Sequence, residues 1–244
     1  MNRNQFFIVG AQRSGTTYLY TILDEHPEIC MAKPVKPEPK YFLTNEYNEV
    51  EYYNNFYTHK TNTTKIFGEK STSYYESDSV AQKIATAMPL AKIIFILADP
   101  VDRAVSNYKF SFENGLETRS IEEVFIENKK INISKYTTSV NPFNYKERGL
   151  YYKYLEYYYT YFPKENIKVI IKENFINDIK QIQSLYKFLE VDDTFIPSSI
   201  NKVVNSSKSK MKISNEIVES LSKYYKRPNL NLQKLLNRDF SLWQ

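Results

Sequence analysis

The sequence predicts an α/β domain in which a central parallel sheet is flanked by helices. Three observations lead there. Short runs of β-branched and aromatic residues alternate with longer amphipathic stretches. The strand candidates are continuous apolar runs, the pattern of parallel strands buried on both faces. The first of them passes through a glycine-containing loop directly into a helical stretch, the opening of a β-loop-α unit. At 244 residues, with 42% hydrophobic and 25% charged residues, the chain can bury one large core but is short for two enzymatic domains. Residues 1–244 are therefore expected to form a single domain.

Taken in order, Gln5–Val9 reads as the first strand and Thr16–Glu25 as a helix that stops at His26-Pro27. Further strands are expected at Lys65–Gly68, Lys92–Leu97 and Ile167–Ile171. Helices are expected near Ser79–Met88, Val101–Glu113, Ile121–Lys129, Leu150–Phe162 and Asp178–Leu189, with a basic helix at Asn215–Lys226. Strands separated by helices favour right-handed crossovers and an open parallel sheet. Met31–Thr64, rich in Pro, Tyr, Asn and charge, has no clean period and is too long for a passive connection; with Tyr136–Lys146 it is a candidate for the rim of a site at the carboxyl end of the strands.

Composition narrows the function classes. A net charge of +5 favours anionic ligands without the basic density of a dedicated nucleic-acid binder, so no nucleic-acid partner is expected. The single cysteine, Cys30, and the two histidines, His26 and His59, form no zinc pattern, and no metal is expected. The apolar run at the N-terminus is five residues long and leads into a glycine loop, so it reads as a strand and not as a signal peptide. No stretch approaches a membrane span, which makes a soluble, cytoplasmic protein the default.

The strongest chemical signal is GAQRSGTT, Gly10 to Thr17, between the first strand and the first helix. Glycines let the backbone turn tightly and aim amides at an anion, and the helix N-terminus adds its positive dipole end. The spacing is that of the phosphate loop G-x-x-x-x-G-K-S/T, with Thr16 where a nucleoside triphosphatase carries lysine. The fold class is accordingly a three-layer P-loop-type α/β fold. Loss of that lysine removes the cation that reaches the β- and γ-phosphates, while Arg13 supplies a charge from inside the loop, so an anionic donor other than ATP is indicated. Gln12, Arg13, Ser14, Gly15, Thr16 and Thr17 are the donor-binding candidates.

These residues, with the continuation TTYLYTILDEHPEI, resemble the sulfotransferases that use 3′-phosphoadenosine 5′-phosphosulfate, in particular the bacterial and carbohydrate-directed branch related to heparan sulfate sulfotransferases. The absence of a C-terminal G-x-x-G-x-x-K favours that branch over the hydroxysteroid and phenol branch. The resemblance implies that the loop binds the 5′-phosphosulfate, with Arg13 at the position of a catalytic Lys or Arg. Lys36-Pro37-Glu38-Pro39-Lys40-Tyr41-Phe42 is similar to the segment that carries the catalytic base, which makes Glu38 the candidate, with His59 as an alternative. Gly68-Glu69-Lys70-Ser71 resembles the family's GEKSP-like element and places Lys70 toward the donor sulfate or the acceptor; Lys70 could instead pair with Glu69 or another carboxylate.

Ile93–Phe110, IIFILADPVDRAVSNYKF, resembles the 3′-phosphate element, with Ser106 and Arg103 at matching positions. The family's first arginine there is Ala98 in this chain. Either another basic residue compensates, or the donor is held weakly, or the alanine replaces a native arginine. Lys146–Tyr151 resembles the R-G-x-Y helix and implies that Arg148 helps hold the donor; KVVNSSKSKMK at Lys202–Lys212 lies where the family has a basic loop, offering Lys208 and Lys210. The Tyr151–Tyr161 stripe reads as packing. The implied reaction is in-line transfer of a sulfuryl group to a hydroxyl or amine of a carbohydrate or small-molecule acceptor, and the net charge of +5 suits an anionic one. Two other readings stay open: a P-loop kinase, for which Asp99 is the tempting magnesium ligand, and a noncatalytic nucleotide-binding module.

Overall fold

A computed structural model of the chain describes residues 4–44, 46–133, 140–202 and 211–243. In chain order its elements are β1 (Gln5–Gly10), α1 (Thr16–Asp24), β2 (Ile29–Met31), α2 (Tyr41–Thr44), α3 (Glu49–Phe56), β3 (Ile66–Lys70), α4 (Asp78–Ala87), β4 (Lys92–Leu97), α5 (Pro100–Glu113), α6 (Ile121–Phe125), α7 (Tyr151–Tyr161), β5 (Ile167–Ile171), α8 (Lys172–Phe175), α9 (Ile179–Leu189) and α10 (Asn215–Leu236). The chain clusters into two compact units, Met1–Ala98 with Glu156–Asn205 and Asp99–Leu155 with Ser206–Gln244.

The first unit holds the sheet. Its five strands run in the order β2-β3-β1-β4-β5, and every pairing is parallel. β1 is central, and all six of its residues are buried. Because side chains alternate along a strand, such a strand needs cover on both faces. Phe6 and Ile8 join Ile94, Ile96, Leu19 and Ile22 of α1 and Ile182 and Leu185 of α9 in one core cluster. On the opposite face the Phe7 ring meets Phe42 edge-on at 5.7 Å, and Phe95 meets Tyr158 at 5.1 Å. Helices on both faces of a parallel sheet make the three layers of the P-loop-type α/β fold.

The expected strands and helices are present, with instructive differences. β2 escaped the sequence reading because three residues, Ile29, Cys30 and Met31, are too few to show a period. Met31–Thr64 is not irregular throughout: α2 and α3 lie within it, and Asn48 caps α3 by accepting the Glu51 amide at 3.0 Å. β3 extends to Lys70, two residues further than expected, so Glu69 and Lys70 are strand residues.

The second unit is helical. α5 begins at Pro100, with Asp99 accepting the Val101 amide at 2.7 Å as its cap. Val101, Ala104 and Tyr108 of α5 pack with Ile121 and Phe125 of α6 and with Ile217, Leu221 and Tyr225 of α10. α10 runs ten residues past the expected stop at Lys226, through Pro228, and ends where Asn237 takes a left-handed conformation. Its buried stripe of Ile217, Leu221, Tyr225 and Leu232 continues across the proline, so packing outweighs the lost backbone bond. α6 stops at Phe125 rather than Lys129.

Candidate functional site

In the first unit the chain leaves the carboxyl end of β1 at Gly10, where a Cβ would stand 2.4 Å from the Tyr75 ring, a contact no other residue could make. The Ala11 amide donates to Ile96 O of β4 at 2.8 Å, and the Ser14 amide closes a turn onto Ala11 O at 3.2 Å. Arg13 has φ 68°, and Gly15, the residue before α1, has φ 90° and ψ 13°. No side chain caps α1. The first bond of the helix is Leu19 N–H to Gly15 O at 3.1 Å, so the amides of Thr16, Thr17 and Tyr18 precede any helical acceptor. Ser14 is fully buried, and its Oγ has no hydrogen-bond partner among the described residues. An orphaned buried hydroxyl beside an uncapped helix start fits an anion with several acceptor oxygens. Of the sequence candidates, Ser14 and Thr16 are buried, and Gln12, Arg13, Gly15 and Thr17 are half-buried. Lys172, which the sequence reading passed over, runs its stem beside Gly15.

The second strand end lies next door. β3 pairs with β1 so that Lys70 sits opposite Ile8, and the Ser71 amide donates to Ile8 O at 3.1 Å. Lys70 Nζ donates to Glu38 Oε1 at 2.8 Å, and the Lys70 side chain is 5% exposed. The same carboxylate accepts the Thr72 amide at 2.9 Å and the Thr72 hydroxyl at 2.9 Å. The two catalytic candidates from separate segments of sequence, Glu38 and Lys70, therefore form one pair. Glu69 does not pair with Lys70; successive strand residues point to opposite faces, and Glu69 turns into the aromatic layer. There its carboxylate, wholly buried, accepts the Tyr52 hydroxyl and the Ser71 hydroxyl, the latter at 2.6 Å. Burial pushes the Glu69 carboxyl above the usual range, against hydrogen bonds from Ser71, Tyr52 and Tyr74. Thr72, Ser71 and Glu69 were not singled out as site residues from sequence, although all three flank Lys70 in GEKSTS.

His59 is exposed, and its Nε2 lies 3.0 Å from Met31 O and 3.5 Å from Cys30 Sγ. Burial pushes the Cys30 thiol up to about 11, which leaves it inert as a nucleophile. His26 is buried between the Glu28 amide and Asp192 O.

In the second unit, Ser106 is half-buried on α5. Arg103, one turn earlier, is fully buried and donates to Tyr145 O and, at 3.4 Å, to Asn107 Oδ1. Arg148 donates to the same Asn107 Oδ1 at 3.3 Å and to Asn141 O at 3.1 Å. The two guanidinium groups thus converge on one amide in a clamp that ties α5 to the turn before α7. Asp99 spends one carboxylate oxygen on capping α5. Ala98, at the end of β4 in the first unit, is buried. Lys208 and Lys210 lie outside the described residues, as does part of Tyr136–Lys146. Among the described residues no group of three or more His, Cys, Asp or Glu side chains could hold a metal ion, and no helix is long and apolar enough to cross a membrane.

Comparison with known proteins places this geometry. Residues 3–233 match the family described as the sulfotransferase domain. A membrane-associated sulfotransferase of Dictyostelium discoideum, kil1, is 26% identical over an alignment covering 98% of this chain and 66% of that protein. The human bifunctional heparan sulfate N-deacetylase/N-sulfotransferase 3 is 38% identical over 110 residues, 43% of this chain and 13% of the larger enzyme. The chain thus spans under two thirds of either relative's length. Among solved structures, a sulfotransferase from Alicyclobacillus acidocaldarius superposes with a TM-score of 0.82 at 27% identity, covering 100% of this chain and 99% of the other. With the sulfotransferase-domain match running from residue 3 to residue 233, the chain belongs to the sulfotransferase domain family.

Proposed function

We propose that the protein transfers a sulfuryl group from 3′-phosphoadenosine 5′-phosphosulfate to a hydroxyl or amine of a carbohydrate or related small acceptor. The observation that carries this reading is the start of α1: an uncapped helix, an orphaned Ser14 hydroxyl, and Thr16 where a triphosphate-binding lysine would stand. The amides of Gly15, Thr16 and Thr17, with Ser14 and Arg13, hold the 5′-phosphosulfate. The donor supplies an activated sulfur whose transfer passes through a trigonal, sulfur trioxide-like arrangement. Glu38 takes the acceptor's proton as the acceptor oxygen or nitrogen bonds to sulfur. Lys70 and Arg13 stabilise charge on the sulfuryl oxygens and on the bridging oxygen, which leaves with its electron pair on 3′-phosphoadenosine 5′-phosphate. Ser106, Arg103, Arg148 and Lys208 are assigned to donor binding by the family pattern; Arg103 and Arg148 also meet at Asn107 Oδ1. No metal enters this scheme, and the site of action is the cytoplasm. The heparan sulfate N-sulfotransferase relative supports a glycan amine as one such acceptor.

Titration calorimetry with 3′-phosphoadenosine 5′-phosphate, followed by a screen of glycan acceptors with labelled donor, tests the proposal. Binding together with label transfer supports it; an absence of binding at high micromolar nucleotide overturns it. ATP with magnesium is expected to support no transfer, and detectable phosphorylation of an acceptor would favour the kinase reading instead.

A further inference from the structure

The Glu38–Lys70 pair depends on a backbone turn that needs holding. Glu38 precedes Pro39 and Lys40, and Lys40 has φ 50°, the left-handed region that a residue with a side chain enters at a cost of about 1 kcal/mol or more. That turn brings the Glu38 carboxylate onto Lys70 and Thr72 while Tyr41 and Phe42 enter the aromatic layer. Two hydrogen bonds fasten the exit of the turn. The Lys40 amide donates to Ser71 Oγ at 2.9 Å, and the Phe42 amide donates to Tyr74 Oη at 3.0 Å. Ser71 is itself fully buried, and its hydroxyl proton is spent on Glu69 Oε1 at 2.6 Å.

We infer that Glu69 is a positioning residue for sulfuryl transfer: acting through Ser71, its buried carboxylate locks the Lys40 turn and so sets the Glu38 carboxylate against Lys70. The orientation of Ser71 is what matters. A serine hydroxyl left to itself could donate elsewhere, but a carboxylate only accepts. Glu69 therefore fixes the Ser71 proton toward itself and leaves the Ser71 lone pairs for the Lys40 amide. The remaining groups around Glu69 agree with this assignment. Tyr52 donates to Oε2, and Gln5 Nε2 donates to the Tyr57 hydroxyl at 2.9 Å and the Tyr52 hydroxyl at 3.3 Å, so the tyrosine cluster is polarised toward the carboxylate. Burial raises the Tyr52, Tyr57 and Tyr74 hydroxyls well above their usual range, so they remain protonated donors. Tyr158, also buried, is raised by burial and by the Glu69 charge. Glu69 touches no reacting atom; its influence reaches Glu38 along Ser71 and the Lys40 backbone.

The inference rests on the proposed sulfuryl transfer, and its test has one arm that needs no activity. Amide hydrogen exchange of Lys40 is measured in wild type, Ser71→Ala, Ser71→Thr and Glu69→Ala, with the Ile94 amide of β4 as the internal control. Loss of one net hydrogen bond should speed Lys40 exchange about fivefold or more in Ser71→Ala and Glu69→Ala, leaving Ile94 unchanged. Ser71→Thr, which keeps the hydroxyl, should restore wild-type exchange. In the activity arm both alanine variants should lose about tenfold in kcat with unchanged donor affinity. Adding Ser71→Ala to Glu69→Ala should cost less than a further twofold, because the two act through one link. Should Glu69→Ala fail to fold, Ser71→Ala and Ser71→Thr carry the test alone. Unchanged Lys40 exchange in Ser71→Ala overturns the inference. Faster exchange in a protein whose wild type transfers no sulfuryl group would uphold the clamp and refute the function instead.

Discussion

The Glu38 carboxylate and the Lys70 ammonium meet at 2.8 Å, joining a Pro-rich loop to the end of a core strand 32 positions later in the chain. Lys70 belongs to β3, whose register against β1 is set by four residue pairs, so the lysine is the rigid partner and the loop carboxylate comes to it. The Thr72 amide and hydroxyl occupy further lone pairs of the same carboxylate. Glu38 is thereby aimed as well as charged.

Glu38→Gln keeps the shape and removes the proton acceptor. Turnover should fall by about 10²-fold or more while the affinity for 3′-phosphoadenosine 5′-phosphate stays within about twofold. Steady-state kinetics beside calorimetry reads both, and unchanged turnover would remove Glu38 from the mechanism.

Arg13 lies in the loop with φ 68° and carries the charge that no lysine at position 16 supplies. Arg13→Ala should weaken donor binding about 10- to 100-fold, the equivalent of a lost charge-assisted hydrogen bond. Ser14→Ala, which deletes the orphaned hydroxyl, should weaken donor binding without lowering the melting temperature of the free protein.

Gly15→Ala separates strain from crowding. A Cβ there would meet nothing closer than 3.5 Å, so the cost comes from φ 90° alone, about 1–3 kcal/mol. Thermal unfolding should register the loss, and donor binding should fall with it because the loop cannot hold its turn. An alanine variant as stable as wild type would contradict the left-handed assignment.

The raised Glu69 carboxyl makes a pH prediction. Its folded pKa lies above its ordinary value of 4.5, so the folded state holds this proton more tightly than the unfolded state. Stability from this group is complete below about 4.5 and is lost as pH rises through the folded pKa. Glu69→Gln has no such titration. The stability difference between Glu69→Gln and wild type should therefore shift in favour of the variant as pH rises from about 4.5, as chemical denaturation at a series of pH values would show. A difference independent of pH would mean that Glu69 titrates normally.

Ala98→Arg should tighten binding of 3′-phosphoadenosine 5′-phosphate, whereas Ala98→Leu should not. The position is buried, so both variants should lose some stability, about 1–3 kcal/mol from overpacking. Weaker nucleotide binding by Ala98→Arg would show that Ala98 does not stand where the family carries its arginine.

Much of the architecture was legible because its signals are local and strong. Four of the five strands are apolar runs long enough to stand out, and the glycine-bearing turn from Gly10 to Gly15 lies between β1 and α1, as its spacing predicts. What stayed hidden was carried by tertiary contacts. β2 has three residues and owes its existence to pairing with β3. α10 crosses Pro228 because its apolar stripe keeps burying side chains. At the site, Glu38 and Lys70 were both identified, each by resemblance, but their contact depends on how the Lys40 turn returns to β3. Ser71 and Glu69 lie in the same short motif as Lys70, and nothing in their spacing announces a buried carboxylate holding a loop 29 or more residues upstream. Arg103 and Arg148 were singled out by resemblance, and spacing could not foretell that their guanidinium groups meet at Asn107 and reach backbone carbonyls.

The most direct measurement follows the backbone amides of Gly15, Thr16 and Thr17 by NMR as 3′-phosphoadenosine 5′-phosphate is added. These amides should shift early and saturate with the calorimetric affinity, and the Arg13→Ala variant should need about tenfold or more additional nucleotide for the same effect. Saturable nucleotide binding that leaves these three amides unmoved would contradict the assignment of the loop.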